Sequence, residues 1–134
     1  MTEHGAGELV NRFYETFLGG DIDTVLELLA SDFELVYSGP PVIPAAGTWK
    51  GHDGFRKWAE ASLGGHLPPE SFNFDEQIEH GDKVAIRGHV NLRVKTTGKT
   101  CETDFLHLWT VRDGKLASFI DFFDTFALAQ AYMP

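Results

Sequence analysis

Apolar residues recur at helical spacing from the start of the chain. Leu9, Val10, Phe13, Tyr14 and Phe17 fall three and four apart, and Gly19-Gly20 closes the run. Asp21 is placed to cap a second helix that buries Ile22, Val25, Leu26 and Leu29. Phe33 to Tyr37 reads as a short strand, and Ser38 to Gly47, with Pro40, Pro41 and Pro44, as a loop. A third helix, capped by His52 or Asp53, carries Phe55, Trp58, Ala59, Ser62 and Leu63 on one face until Gly64-Gly65 and Pro68-Pro69 break it.

After residue 70 the period changes to two. Phe72, Phe74 and Ile78 share a face, with Glu76 as an exception, and the strands Lys83–Lys95, Thr100–Val111 and Leu116–Asp124 follow. Their connections are too short for crossovers, so they form antiparallel hairpins. Thr125 to Tyr132 reads as a last helix that Asp124 can cap. Helices first and a meander after predict one α+β domain over residues 1–134, in which helices pack on a curved antiparallel sheet around a pocket.

The hairpin tips Thr96-Thr97-Gly98-Lys99 and Arg112-Asp113-Gly114-Lys115 each fit a two-residue loop or a three-residue turn with a glycine bulge. A one-residue slip exchanges the two faces of a strand, so the choice decides which polar groups meet. Three-residue turns pair Arg87 with His107, His89 with Phe105 and His107 with Phe119. They sort the side chains more cleanly. One face mixes Phe105, Trp109, Phe119 and Phe123 with Arg87, His89, His107 and Asp121. The other is aliphatic: Val84, Ile86, Val90, Leu92, Leu106, Leu108, Ile120 and Phe122. Two-residue turns instead separate His107 from Asp121.

Composition narrows the classes of function. The net charge is −9 with only 11 Lys and Arg, too few and too dispersed for a nucleic-acid surface. No apolar run approaches the ~20 residues of a membrane helix, and Met1 to Gly5 has neither the basic nor the apolar region of a signal peptide. The one cysteine, Cys101, cannot close an intrachain disulfide, and no neighbour activates it as a nucleophile. These features predict a cytoplasmic protein. No glycine-rich phosphate loop is present, so no organic cofactor is expected.

The mixed face holds the candidate chemistry. A carboxylate among aromatics is costly to leave charged unless it is paired. An imidazole beside it suits proton shuttling near neutral pH, which makes Asp121, His107, Arg87 and His89 the catalytic candidates. Tyr14 and Tyr37 can offer hydroxyls to a substrate carbonyl, and Trp58, Phe105, Phe119 and Phe123 can line a pocket for a small hydrophobic molecule. His89, His107 and Asp121 form a nominal two-histidine, one-carboxylate set, but no metal is expected. His4, His52, His66 and His80 fall in termini, turns or loops and read as surface. The aliphatic face needs a cover, which predicts a homodimer through the outer side of the sheet.

The stretches Val10-Asn11-Arg12-Phe13-Tyr14, Gly20-Asp21-Ile22-Asp23, Gly47-Thr48-Trp49-Lys50-Gly51, His107 to Lys115 and Asp121-Phe122-Phe123-Asp124-Thr125 resemble the SnoaL-like polyketide cyclases of the nuclear transport factor 2-like superfamily. The resemblance spans nearly the whole chain. It implies the cone-shaped α+β fold, a dimer, catalysis without metal, and acid–base work by an aspartate on the last strand with a histidine on the strand before it. Asp121 and His107 match those two positions. Cyclisation, isomerisation or dehydration of a hydrophobic carbonyl compound would follow, with Arg87 polarising or neutralising charge.

Limonene-epoxide-hydrolase-like relatives imply epoxide hydrolysis. Arg87 and Asp121 match its arginine and second aspartate, but His89 stands in place of its first aspartate. Ketosteroid isomerase places a tyrosine and two aspartates where this chain has Phe13, Tyr37 and His107, so that chemistry is not expected in its usual form. The alternative from another class is a non-catalytic module that binds hydrophobic ligands on the same fold.

Overall fold

A computed structural model describes residues 5–134; His4 and, of the segment weighed as a leader, all but Gly5 lie outside the described residues. The first helix, α1 (Ala6–Leu18), buries Val10, Phe13 and Tyr14, as the three–four spacing requires. In α2 (Ile22–Leu28) the Thr24 N–H donates to Asp21 Oδ1 at 3.1 Å, the predicted cap. Strand β1 (Leu29–Tyr37) follows directly, then β2 (Gly47–Lys50), a short strand that the apolar pattern does not mark. Helix α3 (Gly51–Gly65) begins after Lys50, with no side chain capping it. His52, expected there as a cap or at the surface, is half-buried with Nε2 3.1 Å from the Leu29 carbonyl. Strands β3 (Ser71–His80), β4 (Lys83–Arg93), β5 (Thr100–Arg112) and β6 (Lys115–Phe123) complete the sheet. Helix α4 (Thr125–Tyr132) is capped by Asp124, whose Oδ1 accepts from the Ala127 N–H at 3.0 Å.

The sheet runs in the order β2-β1-β6-β5-β4-β3. Every neighbouring pair is antiparallel except β1 with β6, so the sheet is mixed, and the class is α+β. Helix α1 packs on β3, β4 and β6, α3 on β1 and β2, and α4 on β5. Among the described residues no helix is long and apolar enough to cross a membrane.

The registers correct three sequence readings. At the β5–β6 tip, Arg112 pairs with Lys115 around a two-residue turn in which Asp113 and Gly114 both have positive φ, 52° and 74°. That is the mirror-image turn that suits strand twist. Ala117 then bulges out between the Leu116 and Ser118 pairs and restores the phase. His107 therefore lies directly opposite Asp121, not Phe119, and both point to the inner face.

At the β4–β5 tip the Val94 N–H donates to the Lys99 carbonyl at 2.9 Å, and the Gly98 N–H donates to the Val94 carbonyl at 2.8 Å. Ile86 therefore pairs with His107, Arg87 with Leu106, and His89 with Asp104. The slip from the predicted pairing is one residue, so Arg87 and His89 face outward. Val84, Ile86, Val90 and Leu92, expected outside, are buried inside. Burial decides the outcome: each such side chain contributes ~1.5–3 kcal/mol when removed from water, which a row of polar groups cannot match. The third correction is in β3. A bulge at Asp75 turns Ile78 and Glu76 outward while Phe72 and Phe74 keep to the face of Tyr14, Phe74 still 49% exposed, so Glu76 is no exception and pairs with Arg87.

Candidate active site

Alternation along β5 and β6 sends Phe105, His107, Trp109, Phe119, Asp121 and Phe123 toward α1 and α3. There all but Trp109 line a cavity of about 60 Å³, with Tyr14, Tyr37 and Trp58 among its other walls. The space holds a few water molecules. Its least buried lining residues are Phe17 and Leu18 at the end of α1, with Leu67, Phe72 and Phe123, and these form its mouth. A polyketide-sized ligand requires that mouth to widen.

Asp121 is only 8% exposed, and its two oxygens have different fates. Oδ2 lies 3.3 Å from His107 Nε2, while Oδ1 is buried with no hydrogen-bond partner among the described residues. The Ser38 hydroxyl fixes the backbone here by donating to the Asp121 carbonyl at 2.7 Å.

Hydrogen bonding assigns the tautomer of His107. An indole nitrogen can only donate, so Trp109 Nε1–H gives its proton to the Tyr14 oxygen at 2.9 Å. The Tyr14 hydroxyl then donates to His107 Nδ1 at 2.7 Å. With Tyr14 as that donor, the neutral imidazole carries its proton on Nε2, which lies 3.3 Å from Asp121 Oδ2. Burial pushes the Tyr14 hydroxyl well above the ordinary tyrosine value, so it stays a donor. Phe105 stacks on the imidazole with ring centres 4.2 Å apart, and Phe119 meets it edge-on at 4.9 Å, so the ring is held from two sides. The result is a hydrogen-bonded chain from Trp109 through Tyr14 to His107, whose Nε2 stands 3.3 Å from one carboxylate oxygen, while the other oxygen has no partner among the described residues.

The cavity also contains a donor without a partner. Trp58, 4% exposed, lines it with Nε1–H unbonded among the described residues. A buried polar group left without a partner costs ~1–3 kcal/mol. Two lining residues, Asp121 and Trp58, therefore each carry a buried polar atom without a partner among the described residues.

The candidates divide accordingly. Asp121, His107, Tyr14, Tyr37, Trp58, Phe105, Phe119 and Phe123 meet at the cavity. Arg87 and His89 do not. Arg87 Nε lies 2.7 Å from Glu76 Oε1 on the outer face, and His89 Nδ1 2.8 Å from Asp104 Oδ1, with its Nε2 3.3 Å from Glu102 Oε1. Hydrogen bonds to Asp104 and Glu102 raise the His89 pKa. Cys101 is buried, which raises its thiol pKa. No group of three or more potential metal ligands is found among the described residues.

Two participants escape sequence reading. Trp109 reads as packing, although its place two residues after His107 puts it on the same face. His66, expected at the surface, is 1% exposed, and burial lowers its pKa to about 4. Its Nε2 lies 2.7 Å from the Tyr37 hydroxyl and its Nδ1 2.8 Å from that of Tyr132.

Among curated proteins none matches the chain. Solved structures do. A nuclear transport factor 2-like protein of Burkholderia xenovorans LB400 is 29% identical, with a TM-score of 0.87 over 96% of this chain and 95% of that one. TerC, co-crystallised with polyporic acid, is 29% identical, with a TM-score of 0.83 over 95% and 97%. A candidate SnoaL-like polyketide cyclase of Jannaschia sp. CCS1 shares the fold at 16% identity, with a TM-score of 0.81 over 100% and 98%. The SnoaL-like domain model matches residues 10–119, from the middle of α1 to the cavity-lining part of β6, and the chain belongs to the SnoaL-like domain family.

Proposed function

We propose that this protein is a cofactor-independent acid–base enzyme acting on a small hydrophobic carbonyl compound of polyketide-like character, with Asp121 Oδ1 as the base. One observation carries the proposal: on an aspartate that lines an aromatic cavity, one buried carboxylate oxygen has no partner, and the other lies 3.3 Å from His107 Nε2. Oδ1 takes a proton from carbon next to the substrate carbonyl. The Trp58 N–H, without a partner among the described residues, donates to the carbonyl oxygen as negative charge develops there. His107 and Tyr14 position the base and share its charge. Positioned acid–base catalysis contributes ~10²–10⁴-fold, and fixing the substrate between Asp121 and Trp58 supplies the remainder. TerC, crystallised with polyporic acid, supports an aromatic carbonyl ligand. Cyclisation and isomerisation share this first step.

The test is Asp121→Asn. Turnover should fall at least 100-fold while ligand affinity changes little. Hydrophobic ligands that bind the native protein but are never converted would instead favour a non-catalytic binding module. Epoxide hydrolysis by an arginine–aspartate pair loses its arginine, since Arg87 is ion-paired on the outer face.

The partner proposed for the outer face is a second copy of the chain. Leu106 and Phe122 are 40% and 47% exposed there, beside half-buried Leu108 and Ile120. The β4 aliphatics expected to extend this patch are buried inside, and Ile78 of β3, 59% exposed, extends it instead through Ala85.

A further inference from the structure

A second hydrogen-bonded chain approaches Asp121 from its other side, and the proposed base does not use it. Tyr37 pairs with Asp121 across the parallel β1–β6 ladder and lines the cavity. Its hydroxyl lies 2.7 Å from His66 Nε2, and His66 Nδ1 lies 2.8 Å from the hydroxyl of Tyr132 on α4. Tyr37 and His66 are 5% and 1% exposed, whereas Tyr132 is only half-buried, so the chain runs from the cavity wall toward the surface. The backbone makes room for it: a methyl group on Gly65 would overlap the Tyr132 hydroxyl. The Leu67–Pro68 bond that follows is cis.

We propose that Tyr37 is the proton donor to a second oxygen of the substrate, and that His66 and Tyr132 relay a replacement proton to it from the surface; this rests on the reading of Asp121 as the base. The relay needs a neutral imidazole, which has one N–H and one lone pair, and burial keeps His66 in that form at neutral pH. The Tyr37 hydroxyl is likewise held protonated by burial.

In an intramolecular aldol closure the steps balance. Asp121 Oδ1 removes the proton next to one carbonyl, and the C–H electron pair forms the new bond to the carbon of a second carbonyl. The π pair of that carbonyl moves onto its oxygen, which takes the Tyr37 proton. Tyr37 takes the proton from His66 Nε2, Nδ1 takes the Tyr132 proton, and Tyr132 takes one from water. His66 ends as the other tautomer, Asp121 ends protonated, and no charge is created along the chain. Asp121 returns its proton to solvent on product release, and the chain run in reverse resets His66. A dehydration uses the same donor to protonate the departing hydroxyl. An isomerisation that returns the abstracted proton to carbon needs no such supply. The relay therefore selects a substrate class: compounds with one carbonyl that acidifies the C–H bond and a second carbonyl or hydroxyl that must be protonated.

The test needs no substrate. Exchange with water of the Tyr37 hydroxyl and His66 ring protons is measured by NMR in the native protein and in Tyr132→Phe, with the Tyr14 hydroxyl as internal reference. The relay predicts at least tenfold slower exchange at Tyr37 and His66 in the variant and no change at Tyr14. A merely structural Tyr132 would, on removal, loosen the site and speed exchange. Equal or faster exchange at Tyr37 and His66, or equal slowing at Tyr14, overturns the relay. Because no turnover is measured, the relay can fail while Asp121→Asn still abolishes activity; an active Asp121→Asn with slowed exchange in Tyr132→Phe would instead remove the base and leave only the hydrogen-bonded path.

Discussion

His66 shows how much one side chain can depend on its partners. It is buried between two tyrosine hydroxyls, and burial lowers its pKa from 6.5 to about 4. The unfolded chain therefore binds this proton more readily than the folded one. The contribution of His66 to stability is complete above pH 6.5 and is lost as the pH falls through 4. The size is about 3 kcal/mol. Denaturant midpoints at pH 7 and pH 4 should show His66→Gln losing less stability on acidification than the native protein, by about that amount; equal losses would contradict the assignment. Asp121 and His107 were legible on one face in the sequence, but through a three-residue turn; the structure reaches the same phase with a two-residue turn and the Ala117 bulge. His66 was not legible. It follows Gly64-Gly65 and precedes Pro68-Pro69, a composition that reads as exposed turn, and its partners lie 29 residues before it and 66 after.

At the scale of elements, the helices and most strands were legible from periodicity and caps, and the registers were not. The β5–β6 turn has two residues, yet His107 and Asp121 still share a face because Ala117 bulges, a device with no marker in the alternation. The β4 error had a marker. Val84, Ile86, Val90 and Leu92 alternate with Arg87, His89 and Asn91 about Gly88, and that strand's own pattern favours the aliphatic face inward. Gly88 explains why the pattern has a gap. It sits opposite Phe105, and a methyl group there would overlap both the Phe105 ring and the Asn73 carbonyl. Overpacking of this kind typically costs ~1–3 kcal/mol. Gly88→Ala should lower stability by at least that much in chemical denaturation and displace Phe105 from the His107 ring. A variant as stable as the native chain would show that the β3–β4 pair yields more readily than its packing implies.

For the whole molecule, the sheet separates two environments. The inner face gathers the cavity and both hydrogen-bonded chains. The outer face combines ion pairs on β3 and β4 with the Leu106, Leu108, Ile120 and Phe122 patch on β5 and β6. Apolar area of this kind favours self-association, whereas the ion pairs beside it are exposed and contribute little. Sedimentation at micromolar concentration should give a dimer, and Leu106→Glu should give a monomer whose cavity chemistry is intact. A monomeric native protein would remove the proposed interface.

The central claim is that the free oxygen of Asp121 removes a proton from carbon. Deuterium uptake next to the carbonyl of cavity-binding aryl ketones in D₂O, followed by mass spectrometry, measures that step without requiring the natural product to be known. The native protein should catalyse uptake well above the solvent rate, and Asp121→Asn should reduce it at least 100-fold while binding the same ketones. Undiminished uptake in Asp121→Asn, or none in the native protein with any ketone that binds, would contradict the account.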